Sequence, residues 1–158
     1  MDLPSNEDKQ AWVKLGAQAE AHFTAPVFKG GLTVFANPAK AENKFLHDMF
    51  FVQPADLKTV RTPFRTADRY GIPSKTAITL NKKDVDRYRE RYPHIIVIFD
   101  IEYPEFKSIR YVSLRELNYL IDTGLAKLHT YIHRVNDESG NAKESYVLDA
   151  TWLEEMEV

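Results

Sequence analysis

The sequence has no cysteine. That excludes disulfide staples and thiolate zinc sites, and it gives no support for a secreted disulfide scaffold. Long apolar runs are missing too. The longest, Ile95 to Phe99, is five residues, against the roughly 20 that a membrane-spanning helix needs. The opening segment Met1 to Asp8 is polar and acidic, without the basic-then-apolar layout of a secretory signal, so a cytoplasmic location is expected. There is no P-loop pattern, no glycine-rich dinucleotide fingerprint and no G-x-S-x-G, which leaves P-loop nucleotide hydrolysis and serine-based acyl transfer without support. Internal repeats, low-complexity tracts and linkers are absent, and 158 residues fit one domain spanning 1–158.

What is present is an ordinary apolar share of 44% with eight Tyr and nine Phe, enough ring area to build a core. The net charge is only −2, but it is unevenly spread. From Asp56 to His94 there are ten Lys/Arg against five Asp/Glu, whereas Asp137 to Val158 holds seven acids and one Lys. A basic middle with an acidic tail suits a polyanion-binding face on a chain that stays soluble; an ordinary mixed surface has the same composition.

Periodicity lays out the elements. Ser5-Asn6-Glu7-Asp8 reads as a capping box, after which Trp12, Leu15, Ala19 and Phe23 recur at helical spacing, predicting a helix from Glu7 to Phe23. Strands are expected at Leu32–Phe35, Phe45–Asp48, Phe50–Gln53, Leu57–Val60 and Ala77–Leu80. Asn81 reads as the N-cap of a helix whose face is Val85, Tyr88 and Tyr92 and which Pro93 stops. The continuous apolar run Ile95–Phe99 predicts a strand covered on both faces, with Ile109–Val112 as its partner. Ser113-Leu114-Arg115-Glu116 opens a further helix that Gly124 closes. Leu128–Val135 and Ser145–Leu148 predict a hairpin around Asp137–Asn141. The order gives an α/β (α+β) domain with a mixed central sheet, helices packed against it and a C-terminal hairpin.

Four acid-x-lysine triplets occur: Glu7-Asp8-Lys9, Glu42-Asn43-Lys44, Asp56-Leu57-Lys58 and Glu105-Phe106-Lys107. Only the third combines an apolar middle residue, a β-prone flank and an acid shortly upstream, Asp48. Strand alternation places Asp56 and Lys58 on one face and Leu57 on the other. At about 100° per residue, Glu20 lies about 80° from Trp12, at the border of the first helix's apolar stripe. Carboxylates hold a hard divalent cation through oxygen, and a lysine beside them offsets developing charge on a phosphoryl group.

In this order of elements and this motif the chain resembles the PD-(D/E)XK nuclease superfamily. The resemblance spans roughly Glu7 to Leu120 and includes Thr59-Val60 after Lys58. It implies a restriction-endonuclease-like fold, with Glu20 as the helix acid, Asp48 as the first strand acid, and Asp56 and Lys58 completing the last motif. Glu20, Asp48 and Asp56 would hold Mg²⁺ or Mn²⁺, Lys58 would act beside them, and the reaction would be phosphodiester hydrolysis, in DNA rather than RNA. The resemblance also allows a homodimer, though no heptad or apolar stripe demands one.

Arg61, Arg65 and Arg69 recur every four residues after the triplet, and Lys82, Lys83 and Arg87 follow on the next helix. They are candidate phosphate contacts, which position a nucleic acid without reading its sequence; a solvated helix face is the competing reading. Tyr70 is a candidate base-stacking ring, with a core role favoured. His129 and His133 are four apart, but their β-prone neighbours argue for a strand and against a helical metal pair. His47, beside Asp48, is read as a surface residue. A second function stays open: a catalytically inactive nucleic-acid-binding or protein-interaction module on the same fold, favoured by the sequence pI of about 6.2.

Overall fold

Residues 9–24, 32–131 and 143–157 are described by the computed structural model of this chain. Its contacts divide it into two units, Met1–Gln53 and Pro54–Val158.

In the first unit, helix α1 (Lys9–Thr24) lies beside a two-stranded antiparallel ribbon, β1 (Thr33–Ala36) and β2 (Met49–Val52), with Thr33 opposite Val52 and Ala36 opposite Met49. The capping box proposed at Ser5–Asp8 lies outside the described residues. Between the strands, Asn37 caps a short 3-10 helix (Pro38–Ala41) by accepting from the Ala39 N–H. Phe45–Asp48 is a turn and not the expected strand. The Asn43 side chain accepts from the Phe45 N–H at 3.0 Å, and the Asn43 carbonyl accepts from Leu46 at 3.1 Å. Such local asparagine bonds compete with a ladder and win here over β propensity.

The second unit carries β3 (Ala55–Val60), β4 (Ala77–Asn81), α2 (Lys82–Arg91), β5 (Ile96–Glu102), β6 (Lys107–Ser113), α3 (Leu114–Asp122), β7 (Lys127–Thr130), β8 (Glu144–Asp149) and β9 (Glu154–Glu155). One mixed sheet has the order β3-β5-β6-β9, in which β3 and β5 are parallel and the other pairs antiparallel. Parallel neighbours need a long crossover, and the segment holding β4 and α2 supplies it. A three-stranded antiparallel sheet has the order β4-β8-β7. Among the described residues the fold is thus mixed α+β, three α-helices with several sheets. The C-terminal hairpin forms as β7–β8; residues 132–142, its connection, lie outside the described part.

Both helix starts follow the sequence. The Asn81 side chain accepts from the Lys83 N–H, and Ser113 and Glu116 bond reciprocally in a full capping box. Gly124, at φ 71°, follows α3 in the left-handed region that suits glycine. The main core gathers Val97, Phe99 and Ile101 of β5, Val85 and Tyr88 of α2, Leu114 and Leu117 of α3, and Tyr146 and Leu148 of β8. A second cluster holds Ala67, Ile72, Ala77 and Val147, with Phe64 and Tyr70 packed on it. The expectation that β5 is covered on both faces is corrected: Val97, Phe99 and Ile101 are buried, while Ile96, Ile98 and Asp100 on the other face are only half-buried.

Candidate functional site

Asp56 and Lys58 share one face of β3, and register identifies which. Asp56 pairs with Val97, Lys58 with Phe99 and Val60 with Ile101, and paired residues of neighbouring strands point the same way. The acid and the lysine therefore lie on the core face of the sheet, while Leu57 faces outward with 61% of its surface exposed. This inverts the usual strand pattern, in which apolar residues point in and polar ones out. It is tolerated because β3 is an edge strand: Val60 alone of its core-face residues packs against the apolar cluster, and the Asp56 and Lys58 side chains keep 29% and 27% exposure.

Helix α2 completes the cluster. The Lys58 ammonium lies 2.9 Å from Asp84 Oδ2 and 3.2 Å from Asp56 Oδ2. The Tyr88 hydroxyl donates to Asp56 Oδ2. Arg87 Nη2 lies 2.9 Å from Asp84 Oδ1 and 3.8 Å from Asp56 Oδ2. Asp84 and Tyr88 are one helical turn apart and so project together toward β3. Every one of these approaches to Asp56 is through Oδ2; among the described residues Oδ1 receives no hydrogen bond.

The electrostatics follow from these contacts. Burial alone would raise the Asp56 pKa, but the hydrogen bonds from Tyr88 and Lys58 and the charges of Lys58 and Arg87 hold it below the usual carboxylate value. Burial works against the Lys58 ammonium, and its bonds to Asp84 and Asp56 outweigh that, so its pKa is raised. Burial and the bond to Asp56 push the Tyr88 phenol up to about 12, which keeps it a donor.

The other predicted residues are placed as follows. Glu20 lies in α1, its side chain outside the described ones. Asp48 sits just before β2 and not within a strand; its carbonyl accepts from the Asn37 N–H at 2.9 Å and its carboxylate pairs with Lys40. Both belong to Met1–Gln53, whereas Asp56, Lys58, Asp84, Arg87 and Tyr88 all belong to Pro54–Val158. Among the described residues no group of three or more His, Asp or Glu side chains is placed to hold a metal ion; the pair that converges is Asp56 with Asp84. Arg61 is paired with Glu102 at 2.9 Å and Lys82 with Asp86 at 2.7 Å. Lys83 is exposed on the first turn of α2, and Arg65 is exposed after β3. His129 lies in strand β7 as expected; His133 is outside the described residues.

Asp84 and Tyr88 are the members that sequence reasoning missed as site residues. The sequence pattern places Tyr88 on the apolar face of the helix that Asn81 caps and singles out no role for Asp84. The available signal was their spacing, which sets a carboxylate on the border of the Val85–Tyr88 stripe.

No family model and no curated protein matches the chain. A solved structure described as that of D212, a nuclease from a fusselovirus, overlaps it with a TM-score of 0.40 and 11% identity, covering 98% of this chain and 90% of that one. An overlap that loose decides neither the detailed fold nor the activity. Among the described residues no helix is long and apolar enough to cross a membrane.

Proposed function

We propose that this protein is a divalent-metal-dependent nuclease that hydrolyses phosphodiester bonds, with DNA the favoured substrate. The observation that carries the reading is the inverted strand. Placing an acid and a lysine on the core face of β3 while exposing Leu57 works against stability, and such violations of local pattern concentrate at functional sites.

The donor set fits a hard cation. Two carboxylates, Asp56 and Asp84, converge on one ammonium nitrogen, and Mg²⁺ characteristically takes one or two carboxylates together with water and phosphate oxygens. Asp56 and Asp84 would hold Mg²⁺ or Mn²⁺, which supplies Lewis-acid polarisation of the phosphoryl oxygen. Tyr88 fixes the Asp56 rotamer through Oδ2 and leaves Oδ1 open. Arg87 fixes Asp84 through Oδ1. Lys58 stays charged between them and is positioned to offset charge that develops on the phosphate. Glu20 and Asp48 remain proposed contributors, and Arg61, Arg65, Arg69, Lys82, Lys83 and Arg87 proposed backbone contacts.

One observation favours a second reading, a non-catalytic module: the carboxylates are matched by Lys58 and Arg87 within the chain itself, as in a structural ion network. The two readings separate on incubating purified protein with single-stranded, duplex and branched DNA and with RNA, in Mg²⁺ or Mn²⁺. Cleavage that Asp56→Asn and Lys58→Ala each reduce by about 100-fold or more, the size seen when a preorganised catalytic group is removed, supports the nuclease. No cleavage of any of these substrates by the folded wild-type chain leaves the module reading.

A further inference from the structure

A second cluster in Pro54–Val158, apart from the carboxylates, combines rings with a cation that has no carboxylate partner among the described residues. Phe64 lies after β3, Arg69 and Tyr70 close the short helix Ala67–Tyr70, His129 is in β7 and Tyr131 just follows it. The His129 ring centre is 4.9 Å from Phe64, 4.5 Å from Tyr131 and 6.1 Å from Tyr70. Phe64 and Tyr70 are anchored from beneath by Ala67, Ile72, Ala77 and Val147. Tyr70, His129 and Tyr131 are half-buried and Arg69 is exposed, so the rings are fixed below and accessible above.

Among the described residues Arg69 is held by neutral partners. It donates to the Tyr70 hydroxyl at 2.9 Å and to His129 Nδ1 at 2.5 Å, and its guanidinium lies 4.8 Å from the centre of the Tyr70 ring. Among the described residues it has no carboxylate partner, in contrast to Arg61, Arg87 and Arg110. Burial and the Arg69 charge lower the His129 pKa, in keeping with an imidazole whose Nδ1 accepts from the guanidinium. A cation ordered in advance loses less entropy on binding.

The location is also informative. Asn81, Ser145 and His129 stand in one row across β4, β8 and β7, so His129 is two strand spacings, about 10 Å, from Asn81. Asn81 caps α2, and Asp84 follows within one turn.

We propose that this cluster is a stacking subsite for a single-stranded nucleic-acid segment, with a base against the His129–Tyr131 rings and a phosphate on Arg69. It rests on the nucleic-acid reading above and sharpens the substrate class. Ring faces serve unstacked bases, which a duplex does not present. A strand seated here lies on the sheet face of the second cluster, in the same row as Asn81, the cap of α2.

The test is fluorescence anisotropy on the full chain in EDTA, so that binding is measured without cleavage. The probes are an oligo-dT of about 12 nucleotides and a duplex of equal length, within the usual site sizes. Arg69→Gln and Tyr131→Leu are each expected to weaken single-strand binding about tenfold. Arg69→Gln should also lower the slope of log K on log salt by about one, while Tyr131→Leu leaves it unchanged. Duplex binding should fall less than about twofold in Tyr131→Leu, and Tyr131→Phe, which keeps the ring and guards against a folding artefact, should bind as the wild type does. Unchanged single-strand affinity in Tyr131→Leu, equal losses for both probes, or no binding by the wild-type chain overturns the subsite. Metal-dependent cleavage with binding indifferent to these substitutions sinks the subsite alone; ring-dependent binding with no cleavage sinks the nuclease alone.

Discussion

Asp56 owes its charge state to its neighbours, and that has a consequence in acid. Burial pushes its pKa up, but the bonds from Tyr88 and Lys58 and the nearby cations bring the folded value below the unfolded one. A depressed carboxyl contributes stability that is present above the unfolded pKa and is lost as pH falls through the folded one. Asp56→Asn removes that titration together with the charge attraction. The melting temperatures of wild type and variant should therefore differ by a constant amount above about pH 5 and converge below about pH 4. Thermal melts across that range check it; a gap that widens on acidification would contradict the assigned contacts. Lys58 behaves in the opposite sense: its raised pKa keeps its contribution through neutral pH and releases it only in strong alkali.

At the scale of elements, the helix caps separate stability from site geometry. Asn81 and Ser113 are both N-caps whose side chains accept from the first turn, and replacing either by Ala should cost about 1 kcal/mol. Asn81 also sets the start of the helix that aims Asp84 and Tyr88 at β3, whereas α3 carries no member of the cluster. Asn81→Ala should thus lower cleavage at a temperature where the protein is still folded, and Ser113→Ala should lower the melting point by a similar amount with activity intact. Parallel melts and rate measurements on the two variants decide this. The same elements show what was legible in advance. Both caps, the strand Ala77–Asn81, the β5–β6 pairing and the facing of Asp56 and Lys58 follow from local pattern, because capping and period-2 alternation are local physics. The turn at Phe45–Asp48, where a strand is expected, was not legible, because the bonds of one asparagine decide that segment. Asp84 joined the site only through the crossover that lays α2 over β3, a contact 26 residues distant in sequence that no short window contains.

At the scale of the molecule, the buried apolar side chains among the described residues are unevenly divided. Every buried hydrophobic side chain among the described residues, from Ala67 to Leu153, lies in Pro54–Val158, and so do both core clusters. In Met1–Gln53 the described apolar residues include Phe45 and Phe51, which are exposed, and the buried residue is a polar one, Asn37. Burial of apolar area is the main favourable contribution to folding, so Pro54–Val158 should fold without the residues before it. A fragment beginning at Pro54 is expected to unfold in one cooperative transition within about 5 °C of the full chain, the shift that roughly 1 kcal/mol produces in a domain near 100 residues. It retains Asp56, Lys58, Asp84 and Tyr88, and also the ring cluster around His129, so oligo-dT binding in EDTA should survive the truncation. Cleavage then discriminates among the acids. A fragment that folds, binds and cleaves makes Asp56 and Asp84 sufficient, whereas one that folds and binds but no longer cleaves assigns a catalytic part to Met1–Gln53, the unit that carries Glu20 and Asp48. A fragment without a cooperative melt would show that the apolar clusters of Pro54–Val158 are too small to stand alone.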